Sequence, residues 1–373
     1  MATMQVISAD SHMTEPGDLW VTRIDQKYRD DAPRVVKKDT TGAAVSGAPF
    51  VFVGPGFHPL TIAATFAAGR GGEELREHMR HGYEAARPSG WDPVERLKDQ
   101  DVDGISAEVL YPSLGIALLS MTDTALQQAC MRVYNDWLAE FCAHSRKRLA
   151  GIGLYSLRAL PDVSEIERCA KIGLQGILIL ASNTIETPYS DESFDPLWRA
   201  ASETGMPISL HKPLVSGMSL TPIMPSPADL QIHCIHVVEQ CMTRLIYGGV
   251  FERFAKLKIV SAENDVGWMP NWVNRLDHVY SKMGNPRPRL PRKPSEYVKR
   301  NIWATFQDDP LGPATWKFFG EDNYMWASDF PHADSTFPNS VQTIGENFAG
   351  VPAGVKQKIV FDTANRLYNL GLN

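Results

Sequence analysis

The sequence has five cysteines (Cys130, Cys142, Cys169, Cys234 and Cys241), and no two of them stand in a C-x-x-C spacing. An odd number without such pairs excludes a disulfide framework and a zinc ribbon, and reads as buried, reduced small hydrophobes. No run approaches the ~18 uninterrupted apolar residues that a membrane helix needs. Nor does the N-terminus carry a basic stretch followed by an apolar one, so a soluble, cytoplasmic protein is expected. Excess positive charge is missing too. A formal net charge of -6 gives no footprint for nucleic acid or for an anionic membrane surface. No Gly-rich phosphate turn follows the first strand-like run, which argues against a doubly wound nucleotide-binding sheet.

Strand-like runs are present at residues 4–9, 105–111, 149–157, 176–180, 207–211, 257–263, 302–307 and 324–329. Helix-period stretches lie between them at residues 123–146, 161–172, 194–204, 227–247 and 311–319. Alternation of this kind predicts parallel strands with right-handed crossovers, and therefore a single α/β domain over 1–373, a distorted (β/α)8 TIM barrel. Residues 14–91 break the even spacing. They are rich in Gly, Pro and Ala, with Gly54-Pro55-Gly56 and Gly69-Arg70-Gly71-Gly72 as breakers, and read as a cap or lid inserted after the first strand. Trp20, Phe50, Phe52, Phe57 and Phe66 would give it an apolar underside; surface decoration or a subunit contact is the alternative. A second Pro-rich insertion follows at 212–227, and 284–294 reads as a basic surface arm.

Chemistry collects at the strand ends. Asp10-Ser11-His12, His211, Glu263 and Asp329 each terminate a separate strand-like run. Such residues meet only if the strands lie side by side and parallel, at the C-terminal rim of a barrel. Asp10 and His12, two apart, share a face of the strand with Val6 and Ser8, taken as the interior one. Carboxylate and imidazole groups so gathered read as a catalytic metal centre, although Asp-Ser-His alone is also good turn chemistry.

Asp10-Ser11-His12 with Glu15-Pro16, the strand end Ser209-Leu210-His211, Ala262-Glu263 leading to Gly267-Trp268, Ser328-Asp329-Phe330-Pro331-His332, and the tail Asn365-Arg366-Leu367-Tyr368 together resemble the amidohydrolase superfamily. The nearest branch is the amidohydrolase-2 group that includes aminocarboxymuconate-semialdehyde decarboxylase. Many members carry His-x-His on the first strand and a histidine on the sixth, where this chain has Asp10 and Glu263. The ligand set so implied is Asp10, His12, His211, Glu263 and Asp329, rich in hard oxygen. It favours iron or manganese, with zinc as an alternative. Mutual repulsion of its three carboxylates favours two divalent ions over one. His278 is a candidate ligand for a second ion, against the plainer reading of a helix-surface histidine. The resemblance makes Arg275 a candidate for binding a substrate carboxylate, in some members across a dimer, against the alternative of a surface ion pair. His332, three residues after Asp329, can donate a proton, orient the substrate or cap a helix. His233 and His236 are left as packing or subunit contacts.

The reading favoured at this level is a metal-dependent hydrolase. A metal-activated water attacks an ester, thioester, amide or carbon–carbon bond beside a carbonyl of a small acyl substrate. Asp329 takes the water proton, as the resemblance implies. The rival is a non-oxidative decarboxylase, in which Asp329 protonates the substrate carbon, and a non-catalytic binding protein is the third. A small molecule and a second copy of the chain, forming a homodimer, are the expected partners.

Overall fold

The structure, a computed structural model, describes residues 4–38, 49–182, 187–211, 227–283 and 290–373. Its strands are β1 (Ile7–His12), β2 (Arg34–Lys37), β3 (Phe50–Val53), β4 (Leu60–Thr61), β5 (Ala107–Tyr111), β6 (Leu149–Leu154), β7 (Gly176–Ile179), β8 (Ile208–His211), β9 (Ile259–Ala262), β10 (Ile302–Phe306) and β11 (Tyr324–Trp326). β1 and β5 to β11 form one sheet in that order, and every pairing in it is parallel. β6 to β9 are buried at every position, because helices cover the outside while side chains fill the inside. This is the expected (β/α)8 barrel.

The seam between β1 and β11 is closed by other means than a strand ladder. The Asp329 amide donates to the Asp10 carbonyl at 3.0 Å and the His12 amide to the Phe330 carbonyl at 2.6 Å. Below them Ser8, Ser11 and Ser328 join hydroxyls at 2.8 to 3.2 Å, and the Ser328 amide donates to Ser8 Oγ at 2.8 Å. Small polar side chains at the seam satisfy backbone and one another where no neighbouring strand does.

The face assigned to Ser8 needs correction. A bulge interrupts β1 between Ser8 and Ser11, so Ser8 is in register with Glu108 and His12 with Tyr111. Glu108 is held by Arg96 on the flanking helix Pro93–Asp103, whereas Tyr111 reaches Ser209 of β8. The extra residue lets Asp10 and His12 enter the site from a strand whose earlier part follows the opposite phase.

Residues 14–91 contain more regular structure than their Gly and Pro content suggested. β2, β3 and β4 pair antiparallel as a separate small sheet. Phe52 is fully buried there, with ring centroids 5.0 Å from Trp20 and 5.3 Å from Phe57. Trp20 Nε1 donates to the Cys130 carbonyl at 3.0 Å, tying the insertion to the helix Thr124–Ala143. The second insertion lies outside the described residues, apart from Pro227 at the start of its helix, and so does the 284–289 part of the basic arm. No described helix is long and apolar enough to cross a membrane.

Candidate metal centre

Asp10 and His12 leave β1, His211 ends β8, Glu263 follows β9, and Asp329 follows β11, so the parallel order delivers all five to one rim. Measured from His12 Nε2, Asp329 Oδ1 is 3.4 Å away, Asp10 Oδ1 and Glu263 Oε2 are each 3.6 Å away, and His211 Nε2 is 3.3 Å away. His211 Nε2 is in turn 3.2 Å from Glu263 Oε2 and 3.8 Å from Asp10 Oδ1. Donor atoms about 2.1 Å from one ion stand about 3.0–3.6 Å from each other. Most of these spacings match such edges, and the donors fall into two groups that share His12: Asp10–His12–His211 and His12–Glu263–Asp329–His332.

Two further observations fit a cation. Asp10 Oδ1 and Asp329 Oδ1 are buried and accept no hydrogen bond, a costly state unless a positive charge meets them. Glu263 and Asp329 also hold left-handed backbone, φ 54° and 59°. Non-glycine residues rarely do so, and such strain gathers at functional sites.

Neighbouring groups set the imidazoles. His12 Nδ1 lies 3.0 Å from the Pro112 carbonyl, which only accepts, so the proton sits on Nδ1 and the Nε2 lone pair faces the cluster. Burial, and next the nearby His332, hold His12 below its ordinary range and keep it neutral. Thr305 Oγ1 donates to Asp10 Oδ2 at 2.9 Å, turning Oδ1 inward.

Several of these supports escaped the sequence reading. Arg96, wholly buried, grips both carboxylate oxygens of Glu108 at 2.6 and 3.0 Å and donates to the carbonyls of His12 and Phe330 at 2.9 and 3.3 Å. Glu15, quoted as part of a motif without a role, accepts the amides of Ser113, Leu114 and Gly115 at 2.9 to 3.1 Å. Burial pushes its carboxyl up to about 7, against those amides pulling it down. Gly115 is required by this approach, since a Cβ there would stand 2.9 Å from Pro112 and 3.1 Å from Glu15 Oε1. A Pro-Ser pair just past a strand end was the one visible signal for this loop.

His332 joins the site: its Nδ1 stands 2.9 Å from Asp329 Oδ1, off the line of a hydrogen bond, and its ring stacks on His12 at 4.0 Å. His278 does not join it. It is exposed on the helix Met269–Lys282, as is Arg275, and neither lines the cavity or belongs to a donor cluster among the described residues. The helix turns its apolar face, Trp272, Val273 and Leu276, to the core and leaves these two outside. Over the donors lies a cavity of about 400 Å³, walled by Leu60, Leu114 and Ile116, with Thr61 and Thr65 contributed by the insertion. No Lys or Arg lines it among the described residues.

Comparison with known proteins agrees with this fold. The chain is 25% identical over 257 residues, 65% of its length and 67% of the other, to a 2-amino-3-carboxymuconate-6-semialdehyde decarboxylase of Dictyostelium discoideum. An amidohydrolase of Mycobacterium avium subsp. paratuberculosis has the same fold over 100% of both chains, with a TM-score of 0.77 at 22% identity. A 5-carboxyvanillate decarboxylase of Novosphingobium aromaticivorans, complexed with manganese and 4-hydroxy-3-methoxy-5-nitrobenzoic acid, matches with a TM-score of 0.71 at 20% identity over 98% of this chain and 96% of that one. A family model described as amidohydrolase matches residues 56–370, and the chain, with its donors on the barrel rim, belongs to the amidohydrolase family, in the amidohydrolase-2 group.

Proposed function

We propose that the protein is a metal-dependent, non-oxidative decarboxylase of a small aromatic or unsaturated carboxylic acid. The observation that carries this reading is the gathering of Asp10, His211, Glu263 and Asp329 around His12 Nε2, with His332 directly beside Asp329. The relatives described above with a named reaction are decarboxylases, which supports the lyase over the hydrolase favoured from sequence. The two-ion expectation rested on carboxylate repulsion. His278 is exposed and brings no donor to a second ion, and the two donor groups found among the described residues, Asp10–His12–His211 and His12–Glu263–Asp329–His332, share His12.

Asp10, His12, His211, Glu263 and Asp329 would hold the ion, with manganese favoured by the hard oxygen donors and by the manganese in the relative, and iron or zinc as alternatives. When bound, the ion supplies the positive charge that offsets the carboxylates and attracts the substrate's own. Leu60, Leu114 and Ile116 give a planar ring an apolar slot. Asp329 hands a proton to the carbon bearing the carboxylate. The C–H bond forms, the carbon–carbon bond breaks, its electron pair returns to the substrate, and CO2 leaves. His332 stands directly beside Asp329 and stacks on His12.

The deciding experiment uses aromatic acids labelled with ¹³C in the carboxyl group, run in D2O and in ¹⁸O water. The expected result is ¹³CO2 with one deuterium at the vacated carbon and no ¹⁸O in the organic product. A product carrying ¹⁸O and no released CO2 would return the assignment to hydrolysis. Metal analysis by mass spectrometry should give one ion per chain, whereas two per chain would reinstate the dinuclear reading.

The insertion is proposed to roof the site, since Leu60, Thr61 and Thr65 line the same cavity as the donors. Replacing residues 54–64 by a short Gly-Ser link should raise KM or lower kcat while bound metal stays constant; full activity would make the insertion decoration. Arg275, being exposed, can serve a substrate only in a neighbouring copy, so this role requires the expected homodimer. Sedimentation as a monomer would remove it.

A further inference from the structure

Two separate pieces of chain wall the cavity over the donors. Ser113, Leu114 and Ile116 follow β5, and Leu60, Thr61 and Thr65 come from the insertion. The segment Thr14-Glu15, just past β1, is bonded to both. The Glu15 side chain is fully buried and turned to the first piece: Oε1 accepts the Ser113 and Gly115 amides at 3.1 and 2.9 Å, and Oε2 the Leu114 amide at 2.9 Å. Its main-chain carbonyl serves the second. That carbonyl accepts from the Tyr83 hydroxyl at 2.7 Å, and the Tyr83 ring packs 6.0 Å from Phe66 and 5.7 Å from Trp91. Beside it Thr14 Oγ1 donates at 3.1 Å to the carbonyl of Thr65, itself a lining residue.

A carboxylate taken out of water with backbone amides as its partners is a costly way to fix a loop, and burial pushes this one up to about 7. An apolar contact would hold the loop at less cost. What the three amides add is placement: two oxygens facing three N–H groups leave the loop one position, and the missing Cβ of Gly115 lets it come that close.

We infer that Glu15 is a positioning residue for the substrate, which sets the spacing between the Ser113–Ile116 wall and the insertion and so decides the breadth of the acid that the cavity accepts. This rests on the reading of the cavity as the site of a carboxylic acid, and not on which bond is broken. Glu15→Gln is the discriminating change. It keeps the volume but turns one oxygen into an NH2 group, which donates where a backbone amide also donates. One side of the cradle then loses its acceptor, and the wall should withdraw.

The test has a binding and a crystallographic arm, both at about pH 8, where the parent carboxyl is ionised. Calorimetry on the purified protein should find that Glu15→Gln weakens benzoate roughly tenfold, while the broader 1-naphthoate loses less or newly binds; metal content should not change. Gly115→Ala, which presses on the same cradle without removing it, should shift the two acids in the same direction, and it decides the matter if Glu15→Gln does not fold. In the crystal the Ser113–Ile116 segment of the variant should stand about 1 Å or more farther from Thr61 and Thr65 than in the parent, a displacement large enough to matter in an active site, with the metal donors unmoved. The inference is overturned if 1-naphthoate fares no better than benzoate, since an equal loss is what a purely structural role gives, or if the wall stays in place. Should the parent take neither acid, the carboxylic-acid reading fails, and the position of the wall alone decides the role of Glu15.

Discussion

Asp329→Asn should abolish turnover, with a loss of at least ~10²-fold in kcat, the lower bound for removing a general acid or base. The amide has no proton to release at neutral pH and no lone pair basic enough to take one. The choice of Asn matters. Asp329 sits at φ 59°, a region that Asn tolerates better than nearly every residue except glycine, so the substitution keeps the backbone and the side-chain volume. The four other donors remain, so metal content should persist at least in part and the melting temperature should move little. Activity within about tenfold of the parent, at matched metal content, would take the proton-transfer role away from Asp329. Loss of the metal together with activity would make its main role that of a ligand.

The barrel and its rim were legible because each rests on a local signal. Parallel strands buried on both faces read as short apolar runs, and the residue that ends such a run is the one the barrel exposes at its catalytic face. Asp10, His12, His211, Glu263 and Asp329 were all found that way. The supports were not legible, because their signal is spatial. Arg96 belongs to the helix Pro93–Asp103 and looks like any solvated helical arginine until Glu108, the bulged β1 and the Phe330 carbonyl are placed around it. Ser113 gains meaning only from Met13 and His332, the latter 219 residues away in sequence. His278 failed for the opposite reason. Charge repulsion in the ligand set suggested a second ion, but helical periodicity, with Trp272 and Leu276 inward, already left position 278 outside.

The buried Arg96–Glu108 pair yields the second large effect, on stability. Arg96→Met should lower the free energy of unfolding by about 3–5 kcal/mol, the usual cost of leaving one partner of a buried ion pair alone. Glu108 is 2% exposed and would keep only the Gln100 amide among its present side-chain donors. Arg96→Lys should recover little, because one ammonium cannot hold two carboxylate oxygens and also the carbonyls of His12 and Phe330. Those carbonyls flank the metal donors from two strand ends, so Arg96→Met should weaken metal binding as well as the fold. The measurement is the urea midpoint of the metal-stripped protein, followed by the metal affinity of whatever remains folded. Arg96→Met with Glu108→Met removes the unpaired charge and should restore much of the midpoint, since an apolar pair of similar volume is often as stable as the ion pair. Metal affinity should not return with it, because methionine offers no donor to the two carbonyls. A double variant that regains both would reduce Arg96 to a counter-charge for Glu108. A single variant that unfolds at the parent midpoint would mean that neither role is needed.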